Sequence, residues 1–148
     1  MAGNPFFPLK QLKSSLDSNQ YHHLAKDFYN DSYLMDQNAC SSPHMLIWVG
    51  KKRKSSTNKF WSALEDYVRK NYELESISVI DKYTKLCQAA IDINVPFEFI
   101  SSDNLIYRVL LNKLPKNIHQ YKGNCGYIYE YDASSLDEIC HVINNKYQ

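Results

Sequence analysis

The sequence predicts an α/β domain. Short apolar runs recur from residue 44 onward, stretches with apolar residues at helical intervals separate them, and the 148-residue length suits one layered domain. The expected architecture is a single three-layer α/β/α domain over residues 44–148, with a central, mostly four-stranded sheet that includes some parallel strands. A short helical N-terminal segment over residues 1–43 precedes it.

Each element has its own signal. Pro5 and Pro8 punctuate the start, after which Leu9, Leu12 and Leu16, then Tyr21, Leu24 and Phe28, recur at spacings of three and four. One or two short helices follow from that stripe, which is too small to form a core alone. Asn38 to Pro43 is a turn-rich connector. Met45-Leu46-Ile47-Trp48-Val49 reads as the first strand, stopped by Gly50, and Ser55, Ser56 or Thr57 can cap a helix whose Phe60, Trp61, Leu64, Tyr67 and Val68 line one side. The alternation in Ser76-Ile77-Ser78-Val79-Ile80 predicts a second strand, and Leu86, Cys87, Ala90, Ile91 and Ile93 a second helix. Val95, Phe97 and Phe99 give a third strand with Pro96 at its start. Leu105, Ile106, Val109, Leu110 and Leu114 have the spacing of a third helix, capped by Ser102 or Asp103. Gly126 to Tyr131 is the fourth strand, and Ser135 with Glu138 forms a capping box before a last helix.

Charge is placed, not spread. The net charge is +1, yet Lys51, Lys52, Arg53, Lys54 and Lys59 lie within nine residues that contain no acid, so the rest of the chain is acidic. A basic stretch at a strand-to-helix turn combines mobile cations with the unpaired N–H groups of a helix start, and its natural partner is phosphate. Lys51, Lys52, Arg53, Lys54, Ser55, Thr57, Asn58 and Lys59 are therefore the candidate nucleic-acid contacts. The same run can also be an import signal or a solvated loop. It lacks the second glycine and the Gly-Lys-Ser/Thr ending of a nucleotide-cradling loop, which argues against an NTPase.

Twelve tyrosines suggest a second kind of surface. Tyr21, Phe28, Tyr29 and Tyr33 in the N-terminal segment, and Tyr127, Tyr129 and Tyr131 on one strand face, are candidate anchors for a protein partner. Trp48 and Trp61 fit the core better than a base-stacking role. Enzyme signatures are missing: His22 and His23 are adjacent, Cys40 and His44 straddle Pro43, and no nucleophile elbow or paired acids stand at catalytic spacing. No metal or small-molecule cofactor is expected. The four scattered cysteines suit reduced, mostly buried thiols. No run approaches the ~18 apolar residues of a membrane span, and Met1-Ala2-Gly3-Asn4-Pro5 does not open a signal peptide, so an intracellular chain, nuclear or cytoplasmic, is expected.

From residue 46 onward the chain also resembles a known family. Gly50 after a strand, Asn58 followed by Ala63-Leu64-Glu65, Leu86-Cys87 and Asn94-Val95-Pro96-Phe97-Glu98-Phe99-Ile100 together look like the kink-turn-binding ribosomal protein superfamily. Val95 to Leu105, then His119-Gln120 and a glycine-containing strand to Tyr131, are similar to the substrate-binding domain of SpoU-type ribose methyltransferases. The resemblance implies an α/β/α fold that binds RNA near Lys51 to Lys59 without methylating it. Three function classes remain: a non-catalytic RNA-binding or ribonucleoprotein subunit, a protein-interaction module, and a nuclease or modifying enzyme whose site is assembled from distant residues.

Overall fold

A computed structural model describes residues 16–49, 53–135 and 137–140. Its centre is a four-stranded mixed sheet in the order β1-β4-β3-β2, made of β1 (Met45–Val49), β2 (Phe97–Ile100), β3 (Tyr107–Leu111) and β4 (Tyr127–Ala133). β4 lies parallel to both β1 and β3, and β2 closes the far edge antiparallel to β3. Helices α1 (Ser18–Ser32) and α2 (Arg53–Asn71) cover one face, where Phe28, Phe60, Trp61, Leu64 and Val68 pack with Trp48, Ile106 and Ile128. On the other face, α3 (Ser76–Asp92), a 3₁₀ turn at Ile118–Tyr121 and α4 (Asp137–Cys140) pack Leu86, Ala89, Ile118 and Ile139 against Tyr107, Val109, Tyr127 and Tyr129. The three-layer α/β architecture is the expected one.

Two elements differ from the sequence expectation. Residues 76–80 are the first turns of α3, not a strand. Val79 continues into Lys82, Leu86, Ala89 and Ile93 at helical spacing, and this longer stripe is the one turned inward; Ile77 and Ile80 stay outside. Residues 105–114 form β3 and its flanks, not a helix. Tyr107, Val109 and Leu111 are buried on the α3 face, and Arg108 and Leu110 point to the opposite face. Short apolar runs carry both periodicities, and here the pairing of β3 with β2 and β4 decides between them. The expected helix cap is instead the hairpin loop: Asp103 Oδ1 accepts from Leu105 N at 2.9 Å, and Arg69 of α2 holds the loop through Asp103 (2.9 Å) and Ser102 Oγ (3.0 Å).

From residue 16 the N-terminal segment is part of the core. An Asp17–Gln20 capping box opens α1, whose Tyr21, Ala25, Phe28 and Tyr29 are buried against α2. The segment then turns through Asp36 and Gln37, both in the left-handed region at φ 50° and 59°. This turn delivers the Gln37 side chain to the start of β4. Its Oε1 accepts from Gly126 N (2.8 Å) and Tyr127 N (2.9 Å), and its Nε2 donates to Pro43 O (2.9 Å) and Tyr127 O (3.1 Å). The buried amide thus satisfies all four of its own valences while completing the backbone of two strands' entry segments.

Lys82 makes a comparable tie from α3. The residue is 1% exposed, and its ammonium donates to the carbonyls of Asn104 (2.6 Å), Cys125 (2.7 Å) and Leu105 (3.2 Å) and lies 4.4 Å from the centre of the Tyr107 ring. Burial dominates its ionisation and lowers its pKa to about 8.

Two predictions follow from these buried ties. Gln37→Met leaves two N–H groups and two carbonyls unpaired, and should cost about 3 kcal/mol or more in urea unfolding; a loss below about 1 kcal/mol would mean that the sheet does not depend on this bridge. For Lys82, the unfolded pKa of 10.5 exceeds the folded one, so the unfolded chain holds the extra proton between pH 8 and 10 and stability should rise with pH across that window. Lys82→Met should abolish that slope, and an unchanged slope would assign it to another group.

Candidate functional site

The α2 face of the sheet is only partly covered. A cleft of about 500 Å³ opens between the first turns of α2 and the strands, lined by Lys54, Thr57 and Asn58 on one wall and by Glu98, Ile100, Arg108, Leu110, Glu130 and Asp132 on its floor. The register explains the floor. Glu98 pairs with Leu110, Ile100 with Arg108 and Leu110 with Glu130, so these alternate residues share one face. The cleft occupies the carboxyl-end half of the parallel strands, beside the start of the helix that follows β1, where open α/β sheets bind ligands.

Its inner end is a buried polar cluster. The Glu130 carboxylate, 2% exposed, accepts from Trp48 Nε1 (2.7 Å) and Trp61 Nε1 (2.8 Å) through Oε2, and from Arg108 Nε (2.7 Å) through Oε1. The Arg108 guanidinium also lies 4.4 Å from the Trp61 ring. A buried carboxylate is tolerated only when it is paired and hydrogen-bonded, and here one cation and two indoles supply both conditions. Two contacts fix the plane of the Arg108 guanidinium, and its Nη atoms meet no protein acceptor among the described residues. A rigid fork with two open donors therefore borders the cleft.

The sequence candidates divide sharply. Lys51 and Lys52 lie outside the described residues, and Arg53 is the first residue of α2, so the helix starts ahead of the expected caps Ser55, Ser56 and Thr57, which lie within its first turns. Lys54, Thr57 and Asn58 line the cleft. Ser55 is exposed but is not among its lining residues, and Lys59 turns toward α1, with Nζ 5.9 Å from the Tyr21 ring centre. No acid stands in the first turn of α2 to offset the helix dipole and these cations.

The tyrosine candidates are corrected. Tyr21, Phe28, Tyr29, Tyr33, Tyr127 and Tyr129 are all at most 7% exposed and belong to the two internal clusters, so they cannot serve as an exposed docking face. Their hydroxyls are used internally: Tyr29 donates to Asn71 O at 2.8 Å and Tyr129 to Tyr121 O at 2.9 Å. Tyr131 is half-buried, gives its hydroxyl to Glu138 and borders the cleft. The thiols also differ from expectation, since Cys40 and Cys87 are exposed and only Cys125 is buried among those described.

Sequence reading missed Glu130 and Arg108. One signal was present: an acid at the centre of an otherwise aromatic strand has to find a buried cation. Assigning 105–114 to a helix hid that cation. No three His, Cys, Asp or Glu side chains among the described residues are grouped to hold a metal ion, and no described helix is long and apolar enough to cross a membrane. No protein-family model, curated protein or solved structure matches the chain.

Arg108→Met should strand the Glu130 carboxylate and cost about 3–5 kcal/mol in chemical denaturation. Adding Glu130→Gln should recover part of that loss, because a neutral amide needs no counter-charge. If the double variant is no more stable than Arg108→Met, charge compensation is not what Arg108 supplies.

Proposed function

We propose that the chain is a non-catalytic RNA-binding module of the kind that serves in a ribonucleoprotein complex, and that it grips single-stranded RNA at this cleft. The observation that carries the reading is the meeting of Lys54, Thr57 and Asn58 on the first turns of α2 with the oriented guanidinium of Arg108 across one open space. Arg108 can take two phosphate oxygens at once, Thr57 and Asn58 can donate beside it, and the sequence runs into α2 through the basic residues Lys51, Lys52 and Arg53.

The acids at the cleft sharpen the choice of ligand. Glu130 is neutralised by Arg108, but Glu98 also borders the space and disfavours a bare anion. A nucleotide presents phosphate to the cations and exocyclic amino groups to the carboxylates, which matches a cleft of mixed sign. The resemblance of residues 46–148 to an RNA-binding substrate domain supports the same reading.

Fluorescence anisotropy with a single-stranded RNA oligonucleotide tests it. Binding should weaken with salt at a log–log slope of about −0.7 per phosphate contact. Replacing Lys51, Lys52, Arg53 and Lys54 with Ala should flatten that slope and lower affinity at least about tenfold, with stability changed by less than about 1 kcal/mol. An intact chain that does not bind at low salt, or a quadruple variant with unchanged affinity, would overturn the proposal.

A further inference from the structure

Leu110 of β3 separates two acids on the floor of the cleft. The register sets Glu98 of β2 on one side of it and Glu130 of β4 on the other, all on one face of the sheet. Arg108 is the diagonal cross-strand neighbour of both, roughly 7 Å away, and its Nε goes to Glu130 at 2.7 Å. Glu98 is left exposed, with no hydrogen bond or ion pair among the described residues. Asp132, the third acid of the lining, already interacts with its own chain. One carboxylate thus faces the ligand space without a counter-charge.

Its neighbours favour a flat ligand with donors along one edge. Ile100, two residues along β2, and Leu110, directly opposite, give the floor beside Glu98 an apolar part on which a ring can rest. The donors of Arg108 and Lys54 lie on the neighbouring strand and on the α2 wall. A space of about 500 Å³ suits one nucleotide. The RNA bases differ in what they offer a carboxylate. Guanine presents two adjacent donors, N1–H and the N2 amino group, to the two carboxylate oxygens. Adenine and cytosine set an acceptor nitrogen beside their amino group, and uracil flanks a single N–H with two carbonyls.

Building on the single-stranded RNA grip proposed for this cleft, we propose that Glu98 makes it selective for guanine. The Glu98 carboxylate accepts from N1–H and the N2 amino group of one base, the ring lies on Ile100 and Leu110, and the phosphate goes to Arg108 and the start of α2. Repulsion between Glu98 and phosphate enforces the same orientation. Affinity comes from the cations and discrimination from the acid, so removing the acid should change which base is preferred without abolishing binding.

Fluorescence anisotropy of the full chain with oligouridylates that carry G, A, C or U at one central position measures the preference. The guanine strand should bind at least about tenfold tighter than the other three, the discrimination of one bidentate pair. Inosine at that position lacks the amino group and should lose most of the gain, whereas 7-deazaguanosine, which lacks only the N7 acceptor, should keep it. Glu98→Gln should remove the preference and lower affinity for the all-uridine strand by no more than about twofold. Glu98→Lys keeps the edge strand charged against edge-to-edge pairing and should lose the preference as fully. Equal binding of all four strands would overturn the guanine assignment and leave the RNA grip standing, and no binding of any strand at low salt would overturn both. A preference for another base, or a guanine preference that survives inosine or either Glu98 variant, would overturn the assignment as well, because a group other than Glu98 then reads the base.

Discussion

The Glu130 carboxylate sits at the centre of the middle strand with almost no solvent contact, and it can stay there only while three donors from three other elements hold it. Trp48 comes from β1, Trp61 from α2 and Arg108 from β3, so desolvation of a single charge ties four segments to fixed positions. The first consequence is where α2 lies. To bring Trp61 over Glu130, the helix must cross the β1 and β4 side of the sheet, and its first turns cannot also cover β2; the uncovered strip is the cleft. The second consequence is the rigidity of Arg108, because the group that neutralises the buried acid is the same group that borders the ligand space.

The aromatic residues have a structural task instead of a recognition one. Tyr29, Tyr33, Tyr107 and Tyr129 fill the core with rings and return each hydroxyl to a backbone or side-chain acceptor. Burial pushes the ionisation of the Tyr33 and Tyr129 hydroxyls well above the ordinary tyrosine range, which keeps them neutral donors. α1 joins the domain by the same means. Tyr33 stacks on Tyr29 and meets the Tyr72 ring edge-on, while Tyr72 donates to Asp36 at 2.5 Å and Gln37 completes the entry to β4. A segment expected as an extension is thereby built into one of the two cores.

What could be read from the amino acids depended on whether a pattern was long and one-sided. The β1 run ending at Trp48-Val49, the α2 stripe from Phe60 to Val68 and the tyrosine alternation of β4 each admit one periodicity, and each forms as expected. Ser76 to Ile80 and Leu105 to Leu114 admit two. α3 is apolar on opposite sides, so its first turns mimic a strand; β3 presents Tyr107, Val109 and Leu111 to one side and Arg108 and Leu110 to the other, so with its flanks it mimics a helix. At the cleft, Lys54, Thr57 and Asn58 are local in sequence and could be found. Glu130 and Arg108 are 22 residues apart and meet only through the β3–β4 register, which no local pattern encodes.

With only two tryptophans in the chain, the Glu130 cluster has a direct reporter in the two indole N–H resonances. Amide and indole hydrogen exchange, followed by two-dimensional NMR after transfer into heavy water, should find both indole protons exchanging as slowly as the β4 backbone amides, because each is released only when the buried carboxylate is exposed. If either indole proton exchanges at the rate of a free side chain while the β4 amides stay protected, Glu130 does not hold both rings, and the carboxylate cannot be what organises the sheet, α2 and the cleft.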